Sequence, residues 1–169
     1  RKKNRQLSQL YIHDSLTGLY NRMAYEKLAL PLFQQYMQKG RPVGILFADA
    51  NHLKYINDNF GHDMGNLAIR SIASVIQQQC PVGSISMRYG GDEFVCVIPD
   101  YSQSKIQQLK ESILASLEEF SSTSRTVFPL EASIGFVVAD DPVFSLNDYI
   151  NLADEKMYAE KKERKATRQ

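Results

Sequence analysis

The chain has 169 residues, 43% of them hydrophobic, which is enough for one globular domain with a buried core. Its formal net charge of +1 supplies no strong field to recruit nucleic acid or an anionic membrane. No apolar run approaches the roughly 20 residues of a membrane span, no secretory signal opens the chain, and repeats and low-complexity segments are absent.

Residues 1–13 are basic and polar, with Leu7, Leu10 and Tyr11 at helical spacing. They suit the tail of a helix arriving from an upstream domain, with a disordered terminus as the alternative. The abrupt start, Arg1-Lys2-Lys3-Asn4-Arg5, suggests a piece of a longer protein, and the domain itself is read as residues 14–169. In Asp14–Arg22, Gly18 permits a turn, Asn21 is a good N-cap, and Asp14 and Arg22 are expected to pair. A helix over about 23–38 carries Leu28, Leu32 and Tyr36 on one face, with a bend expected at Pro31 and an end at Gly40.

Val43–Ala48 is apolar on both alternating faces, as in a central strand covered on both sides. It ends at Asp49, an acid that needs a positive partner there. Asn51 is expected to cap a short helix bearing Leu53, Ile56 and Phe60, which Gly61 breaks. A longer helix follows over about 63–79, with Ala68, Ile72 and Ile76 in its core stripe. Ile85, Met87 and Tyr89 then alternate with Ser84, Ser86 and Arg88 in strand period, and Phe94–Ile98 is a second β-prone run. Between them Gly90-Gly91 reads as a tight turn that tolerates positive φ. Cys80 and Cys96 follow no metal spacing and read as buried free thiols in a reducing compartment.

After Asp100, Ile106, Leu109, Ile113 and Leu117 mark one helix face, and 121–125 reads as a polar loop. Glu131–Val138 is a strand, and Ser145 with Asp148 forms a capping box before a final amphipathic helix. The order suits an α+β domain, its mainly antiparallel sheet flanked by helices.

Chemistry concentrates at Asp49 and at the acids Asp92 and Glu93 of the hairpin tip. Carboxylates brought together this way repel unless cations lie between them, and Mg²⁺ needs few protein carboxylates. The helix start after Asp49 offers free N–H groups to a phosphate. For an isolated Gly-Gly-Asp-Glu the plainer reading is a solvated turn, and Lys54 reads equally well as an exposed helix lysine or a phosphate contact.

Four stretches carry a resemblance. They are Asp14-Ser15-Leu16-Thr17-Gly18-Leu19-Tyr20-Asn21-Arg22, Arg88-Tyr89-Gly90-Gly91-Asp92-Glu93-Phe94, Ser133-Ile134-Gly135 and Lys156-Met157-Tyr158-Ala159-Glu160-Lys161. In this order and spacing they resemble the GGDEF family, bacterial domains similar to nucleotide cyclases and polymerase palms that join two GTP into cyclic di-GMP. The resemblance implies a palm-like sheet with the signature on a hairpin. It implies two Mg²⁺ ions, with Mn²⁺ as a substitute, held by Asp49, the Ala50 carbonyl, Asp92 and Glu93. Asp92, Glu93 and Lys54 would serve catalysis, Glu93 as a further ligand or an acid–base group. GTP would lie against His52, Leu53, Asn57, His62, Asn66, Lys161 and Lys165, while Asp154 would cap or brace structure. It further implies a homodimer and an upstream sensory or membrane domain, with the GGDEF domain in the cytoplasm.

Departures from the family pattern are equally specific. Asp49-Ala50-Asn51 stands for D-x-D, and Asn66 stands where an Asp usually reads guanine. An Asp accepts from both guanine N–H groups, whereas an amide offers one acceptor and one donor group. Arg164-Lys165-Ala166 replaces G-R-N, so Lys165 would replace a bidentate arginine. The inhibitory product motif R-x-x-D is replaced by Pro81-Val82-Gly83-Ser84. The two readings carried forward are therefore a diguanylate cyclase and a weak or silent nucleotide-binding or interaction module, with relaxed base choice as a variant of the first. A palm polymerase is set aside, because a neutral chain of this length has no basic groove for a template.

Overall fold

Val43–Ala50 (β1) is the strand around which the sheet is built. The computed structural model describes residues 2–123 and 126–167. Strands β2 (Ile85–Arg88), β3 (Glu93–Pro99) and β4 (Ala132–Ala139) join β1 in the order β2-β3-β1-β4, every neighbouring pair antiparallel. The expected α+β architecture is what forms.

The strand alternation sends side chains into two separate cores. Leu46, Ala48, Phe94, Cys96 and Ile134 face one side, where α3 (Leu53–Phe60), α4 (His62–Gln79) and α5 (Gln103–Thr123) pack. Ile45, Phe47, Val95 and Val97 face the other, against α2 (Leu30–Gln38) and α6 (Leu146–Thr167). With both faces covered, β1 must be apolar throughout, and the polar Asp49 is confined to its end. Gly135 lets α6 approach the sheet closely, since a β-carbon there would lie 2.2 Å from the Ala153 carbonyl oxygen and 2.3 Å from the Met157 nitrogen.

Several local expectations change. Helix α1 spans Lys2–Ile12, although the Leu10 side chain lies outside the described residues. The 23–38 helix begins as a π-turn over Tyr25–Ala29, in which the Leu30 N–H donates to the Tyr25 carbonyl; Pro31 then sits in the first turn of α2. The bulge just upstream absorbs the steric demand of the proline, so the irregularity precedes Pro31. Asn21 caps the preceding turn, its Oδ1 accepting from the Met23 N–H. Ser121–Thr123 extends α5 instead of opening a loop, while Ser124 and Arg125 lie outside the described residues. The Ser145–Asp148 capping box is present, with reciprocal bonds of 2.9 and 3.0 Å. Both cysteines are free thiols, Cys96 buried and Cys80 only half-buried at the end of α4.

Candidate active site

Register brings the acids together. Asp49 lies opposite Glu93 in the β1–β3 ladder, and the Ala50 N–H donates to the Asp92 carbonyl at 2.9 Å. The Asp49 carboxylate is largely buried, its Oδ1 has no hydrogen-bond partner among the described residues, and Oδ2 accepts from Lys161 Nζ at 3.0 Å. Burial pushes its pKa up to about 6; Lys161 pulls the other way, and the charge of Asp92 adds to the rise. Glu93 is also raised, by burial and then by Asp92 and Asp154, with Arg22 opposing. Asp154 thus faces the site electrostatically.

The hairpin tip is held differently from expectation. Neither Gly90 nor Gly91 has positive φ. Arg88 instead clamps the tip by donating to the Gly91 carbonyl from Nε at 3.1 Å and Nη2 at 2.7 Å. The same guanidinium pairs with Asp14 at 3.2 Å, so Arg88, not Arg22, is the partner of Asp14. Arg22 stacks over the Tyr89 ring at 4.3 Å. The Asp14 carboxyl is held below its usual range: burial works against this, but hydrogen bonds from Thr17 and the charge of Arg88 outweigh it.

Beyond Asp49 the chain turns sharply. His52 adopts left-handed φ of 62° as the residue before α3, and no side chain caps that helix. Asn51, expected as the cap, is buried and exchanges hydrogen bonds of 3.0 and 3.1 Å with Ser133 on β4. This pair anchors the turn to the sheet and leaves the first N–H groups of α3 without a capping side chain. His52 Nε2 lies 3.1 Å from Glu131 Oε2.

Two adjoining cavities meet at Asp92 and Leu53. One, of about 490 Å³, is lined by Ala50, Lys54, Asp92, Lys161, Arg164 and Lys165 among others. Arg164 is engaged there with the Ala132 carbonyl and Glu160. The other, of about 280 Å³, is lined by Asn57, His62, Asn66, Arg88 and Gly91 among others. All the residues expected from sequence therefore lie at these cavities or, like Asp49 and Glu93, against their acidic rim. Among the described residues no three His, Cys, Asp or Glu side chains form a ready-made metal cluster. Any cation would be met chiefly by Asp49, Asp92 and backbone, a hard oxygen set suited to a partly hydrated ion such as Mg²⁺. The orphaned Asp49 Oδ1 fits that demand.

Sequence reasoning missed Arg88, the Asn51–Ser133 pair and the direct Lys161–Asp49 contact. Arg88 left a sequence trace as the basic residue opening the hairpin heptad, and the Lys161–Asp49 contact left one in the need of Asp49 for a positive partner.

A four-stranded antiparallel sheet flanked by helices thus carries acids at a hairpin tip beside a cleft lined by basic side chains. Over residues 11–167 the chain matches the family described as "Diguanylate cyclase, GGDEF domain", and it belongs to that family. It is 36% identical over 154 residues to diguanylate cyclase VdcA of Vibrio cholerae, covering 89% of this chain and 44% of that protein. It is 31% identical over 157 residues to the bifunctional diguanylate cyclase/cyclic di-GMP phosphodiesterase MucR of Pseudomonas aeruginosa, covering 93% and 23%. The chain thus spans less than half the length of these relatives. Among solved structures it resembles the coiled coil and GGDEF domain of DgcB from Caulobacter crescentus in complex with c-di-GMP. The TM-score is 0.88 at 26% identity, covering 96% of this chain and 86% of that one.

Proposed function

We propose that this chain is a diguanylate cyclase domain of a bacterial signalling protein, condensing two GTP into cyclic di-GMP with release of pyrophosphate. The observation that carries the reading is the Asp49–Asp92 juxtaposition, with an unpartnered buried oxygen, beside a cleft lined by basic side chains. Divalent metal, Mg²⁺ at two positions with Mn²⁺ as a substitute, supplies charge neutralisation and activates the attacking hydroxyl when bound. Asp49, the Ala50 carbonyl and Asp92 hold it. Glu93, the fourth acid of the tip, joins them as a ligand or takes the 3′-hydroxyl proton. Lys54, Lys161 and Lys165 bind phosphate oxygens, together with the N–H groups at His52 and Leu53. Asn57, His62 and Asn66 receive the base. The 3′-oxygen of one nucleotide bonds to the α-phosphorus of the other as the bond to pyrophosphate breaks, and a second such step closes the ring.

One cleft holds one GTP, so turnover requires two copies face to face. The partner segment is an upstream sensory or membrane domain, with this domain in the cytoplasm where GTP is; among the described residues no helix is long and apolar enough to cross a membrane. Incubation with GTP and Mg²⁺ tests the reading. Pyrophosphate release rising more steeply than linearly with protein concentration is expected. The second reading, a silent nucleotide-binding module, rests on Asn66 at the base cavity, and GTP binding without pyrophosphate release would establish it.

A further inference from the structure

Lys161 and Asp49 meet because of how α6 is seated. Gly135 admits the helix backbone to contact with β4 at Ala153 and Met157. Ala153, Met157 and Lys161 follow one another at four-residue steps, so they share the face turned toward the sheet. Ala153 and Met157 are buried there. Lys161, one turn further, reaches past the end of β1 and places its ammonium 3.0 Å from Asp49 Oδ2. The geometry is set by a packed helix and a central strand, two of the most constrained elements in the domain.

The other lysines of the cleft behave differently. Lys54 and Lys165 line the same cavity, yet neither makes an ion pair or hydrogen bond among the described residues. They are available to an incoming phosphate without giving anything up. Lys161 is already committed, and to the carboxylate that the cyclase reading assigns to a metal ion. Lys161 occupies Oδ2 and leaves Oδ1 free, but an ammonium and a divalent cation on the two oxygens of one largely buried carboxylate repel across a few ångströms, so each weakens the hold of the other. The Lys161 side chain retains 27% of its exposure, and its flexible stem can carry the ammonium into the cleft without moving α6.

Resting on the reading of Asp49 as a cation ligand, we propose that Lys161 is its resident counter-ion in the nucleotide-free domain. Nucleotide phosphates draw the ammonium off Asp49 and so relieve its repulsion of a cation there, and metal binds more tightly with the nucleotide than ahead of it. Lys161 thereby couples the two binding events, neutralising Asp49 in one state and phosphate in the other. A bare carboxylate at the end of a buried strand is never left without a positive neighbour.

The test uses Mn²⁺ alone as the probe, with the free ion followed by electron paramagnetic resonance and the full chain free of nucleotide. Lys161→Met should bind Mn²⁺ about tenfold or more tighter than the parent. Lys54→Met removes the same charge from the same cavity but not from Asp49, and should gain far less. Adding Asp49→Asn to Lys161→Met should erase the gain. Lys161→Gln repeats the measurement should the methionine variant fold poorly. Equal Mn²⁺ affinity in the parent and both Lys161 variants, an equal gain in Lys54→Met, or a gain that survives Asp49→Asn would each overturn the proposal. Pyrophosphate release from GTP, measured separately, keeps the two ideas apart. The expected Mn²⁺ pattern without turnover removes the cyclase reading alone, and turnover with unchanged Mn²⁺ affinity removes the counter-ion alone.

Discussion

Asn57 lies so tightly over Gly65 that a β-carbon at position 65 would come within 1.8 Å of the Asn57 Oδ1. The two residues sit on successive helices, α3 and α4, whose junction forms the smaller cavity. Gly65 is therefore a spacing device: it seats the Asn57 amide. Gly65→Ala should displace that amide while improving helix propensity by about 0.5–1 kcal/mol. We expect the KM for GTP to rise about tenfold with the melting temperature unchanged or higher. A fall in melting temperature with unaltered KM would show that the contact supports the fold and not the base.

Asp92→Ala should abolish pyrophosphate release and leave the fold intact. The side chain stands at the half-buried hairpin tip, which Arg88 holds through the Gly91 carbonyl without help from the Asp92 carboxylate. Circular dichroism and a GTP turnover assay check the two halves of this expectation, and turnover at the parental rate would contradict the assignment of Asp92.

Asp49 makes a prediction in pH. Its folded pKa of about 6 lies above the model-peptide value of 3.8, so the native state holds the proton more tightly than the unfolded chain does. The group therefore destabilises the metal-free fold at neutral pH, and this cost shrinks as pH falls through 6 toward 4. Asp49→Asn in the presence of chelator should gain roughly 1–3 kcal/mol near neutral pH, with the difference closing on acidification. The same variant should lose turnover. Denaturation curves at several pH values measure it, and a pH-independent difference would exclude Asp49 as the cause.

Base choice should depend on Asn66, an exposed residue at the cavity that Asn57 also lines. An amide can turn either its oxygen or its nitrogen to a base edge, so adenine meets a smaller mismatch than it would at a carboxylate. Competition between GTP and ATP should show weak preference in the parent. Asn66→Asp should sharpen it by about 1–3 kcal/mol through a charge-assisted bond. Equal, strict guanine preference in both proteins would show that position 66 does not read the base.

Cyclic di-GMP should not inhibit through the segment before β2. Pro81–Ser84 is a turn closed on itself, with the Ser84 N–H and hydroxyl both donating to the Pro81 carbonyl at 3.2 and 2.6 Å. It presents neither a guanidinium nor a carboxylate. Titration with the product should leave the initial rate unchanged; inhibition that disappears on replacing residues 81–84 would refute this.

The order of strands and helices, the two-sided burial of β1 and the acids at its end and at the hairpin were legible in the sequence. The reason is that periods of 2 and 3.6 record which face of a segment is dry, and a charged residue closing an apolar strand stands out locally. Only the tertiary structure decided the partners. Asp14 takes Arg88, 74 positions away, over the nearby Arg22, and Asp49 takes Lys161, 112 positions away. Asn51 turns to Ser133 on a neighbouring strand instead of capping the helix beside it. Such choices depend on where strands in register and a helix seated on Gly135 bring side chains in space, and local sequence pattern carries no measure of that distance.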